Sequence, residues 1–258
     1  MLPSGSASLI ALALELVLRP WSDRQIKDCG EPLRSLTPDF FCLHPHPYQA
    51  LGAPYGPGLN PFVLRVGVCS RLLKAQRDLQ SRAPGLRFAI FDAWRPIAVQ
   101  QFMVDHALAE ERGRRGLPLD ASTDDPLTQK ALKDVEEAVG RFWAPPSRDP
   151  ETPPPHSTGA AVDLTLADET GTPLDMGGAI DAIGAVSEPG YYAVAAQSGH
   201  DSEAELFDQR RCLLRHVMEA AGFQQHPNEW WHFSYGDQLW AWRAGQKTAM
   251  YGRSEPSA

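Results

Sequence analysis

The sequence predicts an α+β fold, and three observations support that prediction. Segments with a helical period and segments with the alternation of a strand follow one another without a regular β-α-β rhythm. The 258 residues are 43% apolar and 22% charged, the balance of an ordinary globular protein with enough apolar material for a core. No internal repeat or low-complexity tract is visible. These features exclude a chain that is mainly disordered.

The first 60 residues are expected to form one helix and then turns. The longest apolar stretch, residues 9–18, is about ten residues long and contains Glu15, whereas a membrane span needs about 20. Because no Lys or Arg precedes it, we expect an amphipathic helix rather than a secretory signal, and a cytoplasmic protein. The Pro- and Gly-rich segments at 45–47 and 52–58 then predict turns and extended loop.

The next 55 or so residues predict a helix, a strand and a second helix. An imperfect apolar face predicts a helix over 63–83, ended by Pro84 and Gly85. Residues 86–91 predict a short strand. Pro96 suits the first turn of a helix over 97–112.

A polar, Pro-broken region covers 113–155 and contains a predicted helix at 127–139. It reads as an excursion within one domain rather than an interdomain linker, because the chemical motifs lie on both sides of it. Residues 160–167 alternate as a strand, with Val162, Leu164 and Leu166 on the face opposite to Asp163. Residues 171–199 predict a loop. A capping box that begins at Ser202 opens a helix to 221, and a last strand is expected at 230–235.

Charge and cysteine content exclude two classes of protein. The formal charge of −8 argues against nucleic-acid binding, which needs a basic surface. The four cysteines have no C-x-x-C spacing, so they indicate neither a disulfide scaffold nor a Cys-type zinc finger. We expect free thiols that are buried or have no role, at Cys29, Cys42, Cys69 and Cys212. The sequence leaves open whether two of them form a disulfide, and therefore whether the compartment is oxidising or reducing.

Two short segments carry groups suited to metal chemistry. In the first, His156 enters the strand that contains Asp163; in the second, Glu229 precedes the strand that contains His232. A catalytic zinc ion keeps three protein ligands and a water, and His156, Asp163 and His232 supply such a set. Glu229 is then left to accept the proton of the water. Spacing alone leaves open that all four are polar residues in structural roles. The other histidines are expected to be surface or capped residues rather than ligands: His44, His46, His106, His200, His216 and His226.

The sequence motifs in these segments resemble those of the VanX-type D-alanyl-D-alanine dipeptidases of the M15 zinc peptidase family. The family pattern Ser-x-His-x-x-Gly-x-Ala-x-Asp is matched over 154–163, and Glu-x-Trp-His is matched over 229–232. The segment 91–96 resembles the family's Asp-x-Tyr-Arg-Pro, and 176–181 its Met-Gly-x-x-Phe-Asp. The similarity runs in the same order through residues 40–240.

The resemblance implies a role for each matched residue. His156, Asp163 and His232 would bind one zinc ion, and Glu229 would be the general base. Arg95 would stabilise the oxyanion, and Asp92 would orient Arg95. A fixed guanidinium aimed at developing negative charge is electrostatic preorganisation. Asp181 would help to hold the free amino group of the substrate, which restricts cleavage to dipeptides.

The resemblance also implies a fold and an activity. The expected fold is a single compact domain over 1–258, with a central, mostly antiparallel sheet flanked by helices and the zinc site in a cleft, as in M15 and Hedgehog-like proteins. The family-like core would cover about 40–240, between an extension at 1–39 and a tail at 241–258. The expected activity is zinc-dependent hydrolysis of the D-alanyl-D-alanine dipeptide, with no nucleic-acid partner and no membrane span.

Two departures from the family pattern concern the substrate rather than the zinc. Pro154 replaces the family's Ser, and Ile180 replaces an aromatic residue. Two other functions therefore stay open: a D,D-carboxypeptidase or peptidoglycan endopeptidase of the same family, and a non-catalytic zinc module that binds a partner. The sequence does not indicate an oligomeric state, nor whether the role is antibiotic resistance, wall recycling or scavenging.

Overall fold

The structure, a computed structural model, describes residues 19–118, 125–197 and 202–255. The helix expected at 9–18 lies outside these residues. Within them, the strands are β1 (Gln25–Ile26), β2 (Leu33–Ser35), β3 (Phe41–Cys42), β4 (Val63–Arg65), β5 (Arg87–Asp92), β6 (Ala161–Ala167), β7 (Gln224–Gln225), β8 (His232–Ser234) and β9 (Thr248–Ala249). The α-helices are α1 (Pro47–Ala50), α2 (Val66–Arg82), α3 (Ile97–Arg114), α4 (Pro126–Phe142), α5 (Ala193–Gln197), α6 (Ser202–Ala220) and α7 (Gln238–Arg243).

The central sheet has five strands in the order β3-β5-β6-β8-β7. Only the β3–β5 pair is parallel; the other three pairs are antiparallel. The α+β class with a mostly antiparallel sheet is therefore confirmed. Two smaller sheets accompany it, a parallel pair of β1 with β9 and an antiparallel pair of β2 with β4.

The register of the central sheet brings three polar residues into one row. Asp163 on β6 lies opposite Asp92 on β5 and opposite His232 on β8. A β-bulge between Ile90 and Asp92 makes this possible, because a regular ladder after the Ile90–Leu164 pair would set Phe91 opposite Asp163. Side chains opposite one another on neighbouring strands are about 5 Å apart at their Cβ atoms. The bulge thus adds a third polar side chain to the row.

Apolar residues pack on both sides of the sheet. One cluster contains Val162, Leu164 and Leu166 of β6 together with residues of α2 and α6 such as Leu72 and Leu214. A second cluster joins α3 and α4 to aromatic residues near the polar row, among them Tyr48, Trp94 and Trp143. The Val162 face predicted from the alternation is therefore buried in the core, and Asp163 is buried on the other face.

The longer predicted elements are confirmed to within a few residues, and the short ones were missed. The predicted helix at 63–83 is wrong at its start, because residues 63–65 form β4 and pair with β2. The region predicted as turns before residue 60 contains β1, β2, β3 and α1, and the predicted loop at 171–199 contains α5. Elements of two to five residues have too few positions to show a period. The last strand is shorter than predicted, 232–234.

Two further expectations can be compared with the structure. None of the four cysteines, all of which lie within the described residues, forms a disulfide. Among the described helices, none combines the length and the apolar composition that crossing a membrane requires.

Candidate active site

The side chains of His156, Asp163 and His232 converge on one buried point. His156 Nε2 lies 3.1 Å from His232 Nδ1 and 3.2 Å from Asp163 Oδ2, and His232 Nδ1 lies 3.0 Å from Asp163 Oδ1. One nitrogen or oxygen of each residue lies within 4.8 Å of those of the other two. The two segments found in the sequence thus meet across β6 and β8.

A tight turn positions His156. Residues Pro155–Thr158 form a 3-10 turn that ends at Gly159, whose φ of 70° is left-handed. The backbone angle favours glycine, and a Cβ at Gly159 would in addition push aside the end of the Leu33 side chain, 2.3 Å away at Cδ2. The His156 Nδ1–H donates to the carbonyl of Ala93 at 2.7 Å, which leaves Nε2 with its lone pair towards Asp163.

A short relay orients His232. Ser234 Oγ donates its hydrogen to Asp237 Oδ2 at 2.7 Å and lies 3.3 Å from His232 Nε2. Since that serine hydrogen is used, the Nε2–H of His232 donates to Oγ, and Nδ1 keeps its lone pair. Both imidazoles therefore present an unprotonated nitrogen to the same point.

These contacts fit a cation among the three residues. Two lone pairs 3.1 Å apart cannot hydrogen-bond to one another, and none of the described groups donates a hydrogen bond to the buried Asp163 Oδ1. Burial by itself raises the pKa of Asp163, whereas positive charge on the adjacent imidazoles, above all His156, lowers it well below the usual range; a cation bound among the three residues acts in the same direction. Two neutral imidazoles and one carboxylate form a donor set that zinc accepts.

Glu229 lies beside this cluster, in the turn before β8, as predicted. Its Oε2 is 3.7 Å from His232 Nδ1, and its Oε1 is 3.5 Å from His226 Nδ1. Burial raises the pKa of Glu229 well above its usual value, the negative charges of Asp163 and Asp181 raise it further, and Arg19 and Arg95 act in the opposite direction. A carboxylate in such a place has a high affinity for a proton.

Arg95 is held rigidly on the other side of the cluster. Its Nε and Nη2 donate to Asp92 Oδ2 at 3.0 and 2.8 Å, and its Nη1 donates to Gln100 Oε1 at 2.9 Å. Nη2 also donates to the hydroxyl of Tyr48 at 3.2 Å, and the guanidinium lies 3.6 Å from Asp163 Oδ2. The aromatic rings of Tyr48 and Trp143 lie against the guanidinium at 4.8 and 5.1 Å.

Asp92 is fully buried and accepts four hydrogen bonds. Besides the two from Arg95, its Oδ1 accepts from Tyr55 Oη and from His46 Nε2, both at 3.1 Å. Burial alone raises the pKa of Asp92, but Arg95 and the hydrogen bond from His46 outweigh it and lower the pKa to about 2. Asp92 therefore stays ionised and keeps Arg95 in one orientation.

Asp181 reaches the same cleft from the loop after β6. Its Oδ2 accepts a hydrogen bond from the Tyr48 hydroxyl at 2.9 Å, and its backbone has a φ of 66°, which is uncommon for a residue other than glycine. Burial raises the pKa of Asp181 to about 7, with a further contribution from the charge of Asp163 and an opposite one from Arg95.

The structure brings all seven residues predicted from the sequence together. Six of them line one cleft, and Asp92 lies behind Arg95. The cleft is also lined by residues that were not predicted from the sequence to belong to the site: Arg19, Trp21, Gln100, Trp143 and His226. No motif distinguishes these residues along the chain. Only Ser234 and Asp237, which follow His232 closely, could have been found from the sequence as partners of a ligand.

Of the histidines expected to be surface or capped residues, His46 caps α1, whereas His226 lies in the turn before β8. The ring of His46 accepts from the backbone N–H of Tyr48, and that of His226 from the backbone N–H of Asn228. Both rings are nevertheless buried at the site rather than exposed.

Comparison with known proteins gives consistent matches. The family model Peptidase_M15, described as D-ala-D-ala dipeptidase, matches residues 43–249. A D-alanyl-D-alanine dipeptidase of Synechocystis is 46% identical over 253 residues, which cover 95% of this chain and all of that protein. The D-alanyl-D-alanine dipeptidase of Escherichia coli is 38% identical over 78 residues, 30% of this chain and 36% of that protein.

One solved structure also aligns with the chain. It is a crystal structure of the vancomycin-resistance D,D-pentapeptidase VanY in complex with Zn(II), with 14% identity and a TM-score of 0.37 over 88% of this chain and 96% of that one. The family to which the chain belongs is shown by the family model and by the Synechocystis relative, not by this structural alignment.

Proposed function

The chain belongs to the M15 peptidase family of D-Ala-D-Ala dipeptidases, and from this premise we propose that it hydrolyses D-alanyl-D-alanine with the help of one zinc ion. One observation carries the proposal. Two imidazole lone pairs and a buried carboxylate oxygen converge on a point beside which lies a second carboxyl group, that of Glu229, with a raised pKa. A binding module would need the first three groups but not the fourth.

The proposed zinc ligands are His156, Asp163 and His232. A zinc ion bound there supplies Lewis-acid activation of a water molecule and of the scissile carbonyl. Glu229 accepts the proton of the attacking water and passes it to the departing amine. Its buried position favours this exchange, since a carboxylate with a raised pKa is a stronger base than one in water.

Arg95 is proposed to stabilise the negative charge that develops on the carbonyl oxygen. A guanidinium has five N–H groups, and four of those of Arg95 are used by Asp92, Gln100 and Tyr48. The fifth, on Nη1, is left for the substrate. Because Asp92 fixes the group in advance, no reorganisation is needed when the charge appears.

Asp181 and Tyr48 are proposed to bind the ammonium group of the substrate. The Asp181 carboxyl lies in the cleft with Arg95 and the predicted ligands, so it can hold an amino terminus one residue from the scissile bond. Such an anchor favours dipeptides over longer peptides, which have no ammonium group at that place.

The test is a peptide panel assayed with and without a chelator. We expect alanine release from D-Ala-D-Ala, its loss on zinc removal, its return when zinc is added, and much slower cleavage of a longer peptide that ends in D-Ala-D-Ala. A preference for the longer peptide would identify a D,D-carboxypeptidase or endopeptidase instead. No hydrolysis of any peptide by the zinc-loaded protein would refute the enzymatic proposal.

Glu229→Gln tests the proton acceptor separately from the metal. This change keeps the size of the side chain and removes its basicity, so kcat should fall by a factor of about 100 to 10,000. Zinc content, measured by atomic absorption, should stay at one per chain. Loss of the metal would make Glu229 a ligand rather than the base.

We also propose that residues 1–258 form one domain, located in the cytoplasm. Contacts across the chain support the first part: Arg65 donates to the carbonyl of Gly252, and the Ser254 N–H donates to the carbonyl of Ser157. Limited proteolysis that released a stable fragment would contradict it. Cell fractionation tests the location.

A further inference from the structure

Arg19 lies at the rim of the cleft on a short, well-anchored turn. The Ser22 N–H donates to the carbonyl of Arg19 at 2.9 Å, and the Arg19 N–H donates to Ser22 Oγ at 3.0 Å. Trp21 is buried, with its ring 5.6 Å from both His226 and Trp242. The turn therefore directs Arg19 to the cleft, although it precedes the residues 43–249 that match the family model.

The guanidinium of Arg19 is largely buried but poorly satisfied. Its Nη2 donates to the carbonyl of Trp143 at 2.5 Å, whereas its Nε is buried and has no hydrogen-bond partner among the described residues. Within the same part of the chain, no carboxylate oxygen lies within ion-pair distance of it. A buried cation left in this state is costly unless something else binds it.

Arg19, Asp181 and Glu229 line the same cleft. The charges of Arg19 and Asp181 affect the pKa of Glu229, Asp181 raising it and Arg19 lowering it. Burial lowers the pKa of Arg19 itself, and the charge of Glu229 acts in the opposite direction. The cleft thus contains a cationic and an anionic side chain, Arg19 and Asp181, which form no ion pair with one another among the described residues.

Two arginines, Arg19 and Arg95, line the cleft that holds the predicted zinc ligands. On the outer side of Arg19, Pro153, Pro154 and Pro155 have no N–H to offer, whereas the donors Ser147, Arg148 and Thr152 line an adjoining pocket and not this cleft. Arg95, the other arginine that lines the cleft, uses four of its five N–H groups within the protein. Arg19 is the arginine of the described cleft with several N–H groups to spare.

We propose that Arg19 binds the C-terminal carboxylate of the dipeptide and so determines specificity at the leaving-group end of the site. The inference rests on the proposed function, because a dipeptide is a zwitterion whose ammonium end is assigned to Asp181. A fully extended dipeptide spans only about 7 Å, so its two charged ends need two separate partners in one small cleft. A charge-assisted hydrogen bond from a guanidinium suits a carboxylate.

The test compares two substrates that differ only in that carboxylate, D-Ala-D-Ala and D-alanyl-D-alanine amide. With the zinc-loaded wild-type protein, kcat/KM should be about 10- to 100-fold higher for the acid than for the amide. Arg19→Gln should lower kcat/KM for the acid by about the same factor and leave that for the amide within about 2-fold. Arg19→Lys, which keeps the charge, should retain part of the preference.

Arg24→Gln is the matched control. Arg24 belongs to the same N-terminal segment, but its side chain lies outside the cleft and next to Asp23. The control should leave the preference for the acid unchanged.

Three outcomes would overturn the inference. Equal losses on acid and amide in Arg19→Gln would mean that Arg19 acts on Glu229 or on folding, not on the carboxylate. Equal kcat/KM of the wild-type protein for the acid and the amide would also overturn it. So would a preference for the acid that is as large in both Arg19 variants as in the wild-type protein. Failure to hydrolyse either substrate would instead refute the proposed function, so the two failures can be told apart.

Discussion

Replacing Asp92 by asparagine tests the idea that a buried charge network holds Arg95 in place. The substitution keeps the size of the side chain but removes its charge and turns one acceptor oxygen into an NH2 group. Each carboxylate oxygen of Asp92 now accepts from two donors, Arg95 on one side, and His46 and Tyr55 on the other. The asparagine oxygen can face only one of these sides.

The cost can be worked out from the contacts. If the NH2 group faces His46, that histidine cannot become an acceptor, because its Nδ1 already accepts from the backbone N–H of Tyr48 and its Nε2 therefore keeps the hydrogen. An unpaired buried donor costs about 1–3 kcal/mol. In either orientation the buried guanidinium of Arg95 loses the charge of its carboxylate partner, which costs about 3–5 kcal/mol and is the larger of the two costs. We expect the free energy of unfolding to fall by about 3–5 kcal/mol, out of roughly 5–15 kcal/mol for a typical protein.

Urea titration of the metal-free protein measures this loss, and kcat/KM for D-Ala-D-Ala measures the effect on Arg95. A guanidinium free to move should lower kcat/KM by about 100-fold. Asp78→Asn is the matched control, since Asp78 accepts from Arg82 at 3.0 Å at the surface, with 31% of its side chain exposed. A surface pair contributes less than about 1 kcal/mol. If both variants lose the same free energy of unfolding, or if Asp92→Asn keeps the wild-type kcat/KM, then Asp92 does not hold Arg95 in place.

Three further changes should have separate effects. Asp237→Asn keeps an oxygen that accepts from the backbone N–H of Trp240 at the helix cap, but it presents an NH2 group to Ser234, so the Ser234 hydroxyl can donate to His232 instead. The affinity for zinc, measured by competition with a chromophoric chelator, should fall by about 10- to 100-fold. An unchanged affinity would contradict the relay. Because burial raises the pKa of Asp181 to about 7, its carboxyl stabilises the metal-free protein only while protonated, so the free energy of unfolding should fall as the pH rises from about 4 to 7. Asp181→Asn should remove that part of the slope in urea titrations, and an identical slope would contradict the shift. Arg211→Gln removes hydrogen bonds to the carbonyls of Met176 and Val186 in the loop that carries Asp181, so KM should rise more than kcat falls, with faster proteolysis of 176–188. Arg215→Gln is the control, because Arg215 contacts Cys212 of its own helix, and equal behaviour of the two variants would count against this role.

The metal-binding part of the site could be predicted because its chemistry is local in sequence. His156, Gly159 and Asp163 lie within one turn and the strand that follows it, and Glu229 precedes His232 by one short turn. The period of a strand already separates Asp163 from the apolar face of Val162 and Leu164. The roles assigned to Arg95, Asp92 and Asp181 needed a resemblance to a known family as well.

The residues around that centre could not be predicted, because long-range contacts select them. Tyr48 belongs to a region that reads as turns, yet its hydroxyl joins Arg95 to Asp181, a residue 133 positions away. Arg19 reaches the cleft only because Trp21 packs between His226 and Trp242. Hydrophobic periodicity describes residues within one helix or strand. It therefore carries no information on contacts between residues that lie far apart in the sequence.

By itself, the sequence determined the α+β class, the longer helices and strands, and the two segments that bear the proposed metal ligands, since periodicity and spacing are properties of neighbouring residues. Only the tertiary structure decided which side chains meet. The bulge after Ile90 sets Asp92 opposite Asp163, and the pairing of β6 with β8 sets Asp163 opposite His232. These contacts depend on strand register, and a shift of one residue would turn each of these side chains to the opposite face of the sheet.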